Sequence, residues 1–326
     1  MKIAILASGG NSPGMNNIIV GLVKAANEHK IESWLIYDGY DGILQNKFVK
    51  ADLRYLEEFI TRGNVIIGSS RSKTFYDIEV KKKAVKALKQ KKIDVLIVLG
   101  GDGSYNGAAQ LAKLGMKVMC LPGTIDNDIA STNTTIGFFT CLNTIVSHID
   151  ALRDSFESHS GICFVEVMGR GHSDLAVRCG IATCAEAIIT NKNILTTQDF
   201  IDIANQTWKN GKRSCIFVIT EQIYGKNNLP PLAQIANSVE EATGRTTRIN
   251  VVGHAQRGGV VAAIDRYWAI VMARHCIECI VAKKFNKAIG EVNRKVSDID
   301  IQVAVNLPKK PESFILVKQF EEMNKN

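Results

Sequence analysis

IDVLIVLGGDGSYNGAAQLAKLG, residues 93–115, decides the fold. Past Asp94 it has an unbroken apolar run, Val95–Leu99, then breaks at Gly100 and Gly101 and resumes with apolar residues at helical spacing from Tyr105. An apolar strand that runs through a glycine turn into a helix is the repeating unit of a parallel sheet. The pattern recurs along the chain. KIAILAS, ESWLIYDGY, KVMCLPG, ICFVEVMG, SCIFVITE and INVVGHA are strand-like, whereas GMNNIIVGLVKAANEH, FFTCLNTIVSHIDALRDSFESH and AIDRYWAIVMARHCIECIVAKKF have helical patterns. This alternation predicts an α/β fold with helices on both faces of mainly parallel sheets. Ligands of such sheets collect at the carboxyl ends of strands. There this chain places SGGNSPG, GGDGSYNG, GTIDND, MGRGHSD and GHAQRGG.

The 326 residues suit two packed domains or one large α/β unit. With 46% hydrophobic and 22% charged residues, the composition excludes a disordered or fibrous chain. No stretch reaches the roughly 18 apolar residues of a membrane helix. The opening MKIAILASGG is too brief for a signal peptide, so a soluble, cytoplasmic protein without membrane attachment is expected. Eight scattered cysteines suit reduced core thiols. Cys276 and Cys279 form a CxxC after His275, but with no second ligand pair in sequence they read as helix core rather than zinc. Much of the net charge of +8 sits in VKKKAVKALKQKK (80–92), whose spacing suggests a solvated helix face. No aromatic-plus-basic motif accompanies it, so no nucleic-acid partner is expected. A mild positive field favours small anionic substrates.

The strand ends carry the chemistry. GGNSPGMNN (9–17) nearly has P-loop spacing, but Met15 and Asn16 stand where Lys and Ser or Thr are needed. Its backbone can approach a phosphate but brings no charge. GGDGSYNG (100–107) offers close backbone approach, a helix N-terminus, and Asp102 as a magnesium ligand. In GTIDND (123–128), Asp126 and Asp128 repel unless a cation or donors intervene. One of them fits as the base for an attacking hydroxyl, its neighbour and Thr124 orienting it. A moving phosphoryl group also needs positive charge, and Arg71 and Arg170 follow strand-like runs at predicted loops.

GGNSPGMNN, GSSR, GGDGS, PGTIDND, TIGFFT, VEVMGR, TGRTTR and GHAQRGG, in this order and spacing, resemble the phosphofructokinase family from the first strand to about residue 270. Diacylglycerol and NAD kinases share a GGDG-type loop but would not carry PGTIDND, MGR and GHAQRGG as well. The resemblance implies two domains, each a three-layer α/β/α sandwich, with the active site in the cleft between them. It places a nucleotide-binding domain at 1–138 plus 256–303 and a sugar-phosphate-binding domain at 139–255 plus 304–326. It implies a homotetramer whose sites are shared between subunits, with ATP as co-substrate, Mg2+ as cofactor and fructose 6-phosphate as acceptor.

Position by position, the resemblance makes Asp126 the base for the sugar 1-hydroxyl and Asp128 its support beside the metal. Thr124 holds the reacting groups, Asp102 serves Mg2+, and Arg71 and Arg170 stabilise the transferring phosphoryl group. Gly10, Tyr40, Arg71, Ser72, Gly103, Ser104 and Gly107 line the ATP site. Met168, Gly169, Arg170, Glu221, His254 and Arg257 hold the sugar phosphate with Thr124 and Asp126, and Arg248 reaches in from a neighbouring subunit. Pyrophosphate-using members typically carry Asp and Lys where this chain has Gly103 and Gly123, and the room these glycines leave argues for ATP.

Some positions depart from the family pattern. Gly161 replaces an arginine that grips the 6-phosphate. One lost charge-assisted hydrogen bond costs about 1.5–3 kcal/mol, so weak fructose 6-phosphate binding or another phosphorylated sugar is expected. A degenerate paralogue acting as a binding subunit is the alternative. Asn11, Ser72, Tyr76 and Lys81 also differ from the usual residues around the nucleotide. In the bacterial effector site Lys24, Arg153, Glu186 and Lys212 match, whereas Val20, Leu53 and Asn210 fall where basic residues belong. Ordinary control by ADP or phosphoenolpyruvate is therefore not expected.

Overall fold

The computed structural model describes residues 1–310 and 314–323. Its elements begin with β1 (Lys2–Ala7), α1 (Met15–Glu28), β2 (Glu32–Ile36), α2 (Gly39–Leu44), β3 (Phe48–Lys50), α3 (Leu53–Glu57) and α4 (Ile78–Gln90). They continue with β4 (Val95–Gly100), α5 (Asp102–Lys113), β5 (Lys117–Pro122), α6 (Phe138–His159), β6 (Ile162–Val167), α7 (Asp174–Ala182), β7 (Ala187–Ile189) and α8 (Thr197–Lys209). Next come β8 (Cys215–Thr220), α9 (Leu232–Thr243), β9 (Thr247–Val251) and a 3-10 turn at Gly253–Arg257. The chain closes with α10 (Ala263–Val281), β10 (Lys287–Val292), β11 (Lys295–Asp300), α11 (Ile301–Ala304) and α12 (Phe314–Met323).

Among the described residues two compact units form, residues 1–140 with 257–310 and residues 141–256 with 314–323. Residues 304–310 thus stay with the first unit rather than joining the second. Ala304 and Val305 pack in the first unit's core, and Lys310 Nζ donates to the carbonyl oxygens of Asn127 and Asn133 at 3.3 and 2.8 Å. Positions 311–313 and 324–326 of the expected second domain lie outside the described residues.

In the first unit seven strands take the order β11-β10-β5-β4-β1-β2-β3. The interior pairs are parallel, and only the edge pairs β10–β11 and β2–β3 run antiparallel. Along β1, Ile3, Ile5 and Ala7 face a core built with Ile18, Ile19 and Leu22 of α1 and Met272, Cys276 and Ile280 of α10. Ala4 and Leu6 face the opposite core, built with Ala84 and Leu88 of α4 and Tyr105 and Ala108 of α5. Both faces are covered, so the strands show no polar alternation. Each fully buried aliphatic side chain contributes about 1.5–3 kcal/mol.

From β1 the chain builds outward through β2 and β3, then returns to the other side for β4 and β5. The strand order reverses between β1 and β4, where a doubly wound sheet opens a crevice at its carboxyl ends. The second unit has a four-stranded parallel sheet, β7-β8-β6-β9. Phe164, Phe217 and Ile219 pack with Phe200 and Ala204 of α8 and Ile235 and Val239 of α9 on one face. On the other face α7 lies so close to β7 that a Cβ on Gly180 would approach Ile188 Cγ1 to 2.5 Å. Each unit is a three-layer sandwich, as the alternation predicts.

INVVGHA is strand only to Val251, because Gly253 adopts φ 55° and turns the chain into the 3-10 segment. α5 starts at Asp102, ahead of the first apolar helical position, because Gly101 serves as its N-cap. In α4, Lys82, Lys83, Lys86 and Lys89 are exposed over buried Ala84, Val85 and Leu88, the solvated face expected of the lysine run. None of the eight cysteines is in a disulfide, and all but Cys184 are buried. Among the described residues no helix is long and apolar enough to cross a membrane.

One buried carboxylate fixes the entry to α6. Asp265, fully buried on α10, accepts from Gly137 N–H at 3.0 Å and from the N–H and Oγ1–H of Thr140 at 2.7 and 2.6 Å. Burial pushes its pKa up while these donors oppose the shift. Asp265→Ala strands three donors at roughly 1–3 kcal/mol each. The urea midpoint should fall by the equivalent of at least about 3 kcal/mol, and less for Asp265→Asn; an unchanged midpoint would contradict the role.

Candidate active site

Three loops meet at the carboxyl edge of β1, β4 and β5. Ser8 N–H donates to Leu99 O at 2.9 Å, and Gly123 N–H donates to Gly100 O at 3.1 Å, so each loop leaves its strand tied to its neighbour. Ser104 Oγ donates to Ser8 O at 3.0 Å. Gly100 permits this contact, since a Cβ there would lie 2.4 Å from Ser104 Oγ. The hydrogen-bond ladder of α5 begins with Ser104 N–H donating to Gly101 O at 2.9 Å, so the N–H groups of Asp102 and Gly103 ahead of it have no intrahelical acceptors. With the helix dipole they make this end attractive to anions. Asp102 is exposed in that first turn.

Gly103 faces open space, with nothing within 4 Å of a Cβ placed on it. Gly123 differs. A Cβ there would lie 2.7 Å from Met15 Cε, so Gly123 permits a close core contact and does not leave an empty subsite. Of the two glycines, only Gly103 therefore leaves room for a nucleotide.

The loop after β5 holds the paired carboxylates. Thr124 Oγ1 accepts from Asp126 N–H at 3.2 Å, and Thr124 O accepts from Thr135 Oγ1–H at 2.7 Å. Asn127 sits in the left-handed region at φ 52°, where its Oδ1 accepts from Thr135 N–H at 3.0 Å. The turn separates the two acids by environment: Asp126 is buried and Asp128 is partly exposed. Gly101 lies against Thr124, with 3.5 Å between its ideal Cβ and Thr124 Cβ. Asp102 therefore follows a residue already in contact with the Asp126 loop.

Other expected nucleotide residues brace this edge. Tyr40 is buried, donates its hydroxyl to Ser104 O at 2.7 Å and stacks on Phe75 with centroids 4.1 Å apart. Gly107 is required there, as its Cβ would come 3.0 Å from the Tyr40 ring. Ser72 Oγ accepts from Phe75 N–H at 3.2 Å and so seats that ring. Tyr76 is 86% exposed, while Lys81 is buried and donates to Tyr76 O at 2.8 Å. Arg71 is exposed just after Ser70, whose carbonyl accepts from Gly9 N–H at 3.0 Å.

The structure places Arg257 in the first unit. Its guanidinium donates to Asn11 O at 2.9 Å while its own carbonyl accepts from Asn11 Nδ2 at 3.1 Å. Gly10 makes way for it, since a Cβ there would meet Arg257 Nη1 at 2.8 Å.

The second unit gathers another set at the ends of β6 and β8. Met168 N–H donates to Gln256 Oε1 at 3.1 Å; Gly169 and Arg170 N–H donate to Glu221 Oε1 at 3.2 and 2.8 Å. Arg170 is exposed and held at φ 50°, a conformation uncommon outside glycine and one that marks functional turns. Glu166, beside this turn, has its pKa raised by burial and then by the Glu221 charge. His254 is exposed in the 3-10 segment. Arg248 is exposed on edge strand β9, paired with Glu240 at 3.0 Å. Gln256 and Glu166 lie inside the motifs GHAQRGG and VEVMGR. Polar side chains there signal a role that charge-based reading passes over.

Gly161 is enclosed. A Cβ there would lie 2.7 Å from Phe156 Cδ1 and 3.1 Å from Thr246 O, so the position is closely packed. Of the expected effector ligands, Arg153 and Lys212 both approach buried Glu186 Oε1, at 3.7 and 3.0 Å. Lys24 belongs to the first unit and pairs with Glu57 at 2.5 Å.

The phosphofructokinase family model matches residues 2–280. The chain belongs to the phosphofructokinase family. Among curated phosphofructokinases, the ATP-dependent 6-phosphofructokinase of Spiroplasma citri is 41% identical over 100% of this chain and 98% of its own. That of Mesomycoplasma hyopneumoniae is 44% identical over 100% and 99%. The solved Saccharomyces cerevisiae phosphofructokinase superposes with a TM-score of 0.84 at 26% identity, covering 99% of this chain. This chain spans about half, 48%, of that longer one. A pyrophosphate-dependent phosphofructokinase from Marinobacter aquaeolei shares the fold, with a TM-score of 0.85 at 17% identity over 99% of this chain and 91% of its own.

The two glycines give a direct contrast. Gly123→Ala forces Met15 to repack inside a closed core and should cost about 1–3 kcal/mol. Gly103→Ala meets nothing and relieves a helical glycine, so it should leave the melting temperature unchanged or raise it. Thermal melts in which Gly103→Ala is the more damaging would contradict the geometry.

Proposed function

We propose that this phosphofructokinase transfers the γ-phosphoryl group of ATP to the 1-hydroxyl of fructose 6-phosphate, forming fructose 1,6-bisphosphate and ADP as in glycolysis. The observation that carries this reading is the Thr124–Asp128 turn. It presents a buried carboxylate and a half-exposed one directly beside the helix terminus that carries Asp102.

Asp126 accepts the hydroxyl proton as oxygen attacks phosphorus. Thr124 positions it through the contact to its backbone N–H, and Asp128 stays on the solvent side toward the metal. The α5 terminus and Gly103 receive phosphate oxygens through backbone N–H groups, with Gly10 and Ser104 shaping the approach. Arg71 and Arg170 bring the positive charge that the phosphate loop lacks, and both are exposed and available. Mg2+ fits an exposed carboxylate beside a phosphate-binding helix end, where Asp102 would hold it; when bound it neutralises charge on the transferring phosphate oxygens. Met168, Gly169 and Glu221 shape the sugar site, with His254, Arg257 and Arg248 as further ligands, Arg248 toward a neighbouring subunit of a homotetramer.

With glycine at 161, the 6-phosphate has one cation fewer, and fructose 6-phosphate binds weakly. Arg153, Glu186 and Lys212 form what remains of an effector site, and ordinary control by ADP or phosphoenolpyruvate is absent. The enzyme works in the cytoplasm.

A coupled assay tests the base. Asp126→Asn should lower kcat by about 10²- to 10⁴-fold while the dissociation constant for fructose 6-phosphate changes less than about tenfold. Equal kcat in mutant and wild type would remove Asp126 from catalysis.

A further inference from the structure

The CxxC after His275 does not act as a pair. Both cysteines pack in the first unit's core with Met272 and Ile280, but Cys279, one helical turn from His275, lies at the rim of that core, where its sulfur reaches His275 Nε2. Asp298, on edge strand β11, completes a group of three. His275 Nε2 lies 3.1 Å from Asp298 Oδ1 and 3.6 Å from Cys279 Sγ, and Cys279 Sγ lies 3.7 Å from the same carboxylate oxygen.

We propose that His275, Cys279 and Asp298 form a binding site for a borderline-soft divalent cation, Zn2+ above all, separate from the Mg2+ used in phosphoryl transfer. Zinc held at about 2.0–2.3 Å by tetrahedral N, S and O ligands separates those ligand atoms by roughly 3.3–3.6 Å. The three observed separations fall close to that triangle before any adjustment. One sulfur, one imidazole and one carboxylate suit Zn2+, whereas Mg2+ prefers oxygen alone.

The surroundings fit as well. Glu278 Oε2 stands 3.9 Å from His275 Nδ1, the other ring nitrogen, beyond hydrogen-bond length; a rotation of this exposed side chain would bring the carboxylate to where it orients a metal-bound imidazole. Lys287 Nζ lies 3.5 Å from Asp298 Oδ2, the carboxylate oxygen left over, and so balances an acid that Oδ1 offers to the metal. The side chains of His275 and Asp298 keep 29% and 20% of their surface exposed, which leaves an entry and a fourth position for water.

A relay for nucleophilic attack is a poorer account. Thiol and carboxylate address the same ring nitrogen, where a relay uses the two nitrogens separately. Cys279 itself is only 4% exposed. On binding, the thiol gives its proton to solvent as the metal–sulfur bond forms, with no change of oxidation state. The ion would tie the C-terminal turns of α10 to β11.

The test uses the full-length, reduced, metal-free protein titrated with Co2+ as the spectroscopic probe. One equivalent per chain should produce a thiolate-to-cobalt charge-transfer band that Zn2+ abolishes and excess Mg2+ leaves intact. Cys279→Ser should remove the band, His275→Gln and Asp298→Asn should weaken Co2+ binding at least about tenfold, and Glu278→Gln should weaken it by about 10- to 100-fold. Cys184→Ser, at the exposed cysteine, should change nothing. Circular dichroism verifies folding, and if Cys279→Ser does not fold, His275→Gln and Asp298→Asn decide. No thiolate band in the wild type, a band that survives in Cys279→Ser, or binding unaffected by His275→Gln and Asp298→Asn would overturn the site.

Discussion

The parallel register of β1, β4 and β5 is the constraint on which the first unit's chemistry depends. Ala7 pairs with Leu99 and Gly100 with Pro122, so the three strands end together and their loops start side by side. Two backbone hydrogen bonds, Ser8 to Leu99 and Gly123 to Gly100, carry that alignment past the last strand residues. A slip of one residue would turn Ile3, Ile5 and Ala7 out of one core and into the other. It would also pull Thr124 away from Gly101, so stability of the cores and placement of the acid are set by one register.

Backbone and side chains divide the electrostatic work. A helix terminus is worth about 0.3–1 kcal/mol toward an anion, up to about 2 in sheltered geometry. Removing a single well-placed donor to a developing oxyanion costs about 2.7–4 kcal/mol, so a helix end alone is too weak. In the proposed reaction Arg71 and Arg170 would supply the difference, and what the structure shows of them is the backbone that holds each. Arg170 is held at positive φ by a carboxylate that takes two successive N–H groups, and Arg71 follows a residue bridged to the first loop. Both units thus spend buried or half-buried hydrogen bonds to position side chains that themselves face solvent.

Much of this was legible in the sequence, because long apolar runs ending in glycine can be little else. The strands through Ala7, Gly100 and Pro122 and the loops after them follow directly from pattern. The short strands were hidden. KAIGEV and KVSDID mix charge with apolar residues because they lie toward a sheet edge, and AII in β7 is too brief to show a period. Asp298 belongs to such a strand, which is why His275 and Cys279 read as helix core. Gly123 was misleading for a different reason. A missing side chain in sequence looks like space, yet Met15 occupies it. The Tyr40 hydroxyl and Arg257 Nη1 likewise donate to carbonyl oxygens of the first unit, which only three-dimensional contacts reveal.

The proposed chemistry turns on which phosphoryl donor the α5 terminus accepts. The most direct measurement is the initial rate of fructose 1,6-bisphosphate formation from saturating fructose 6-phosphate, with Mg-ATP and Mg-pyrophosphate compared at equal concentration. Rapid turnover with ATP and none above background with pyrophosphate is the predicted result. Equal or faster turnover with pyrophosphate, or no product with either donor, would contradict it.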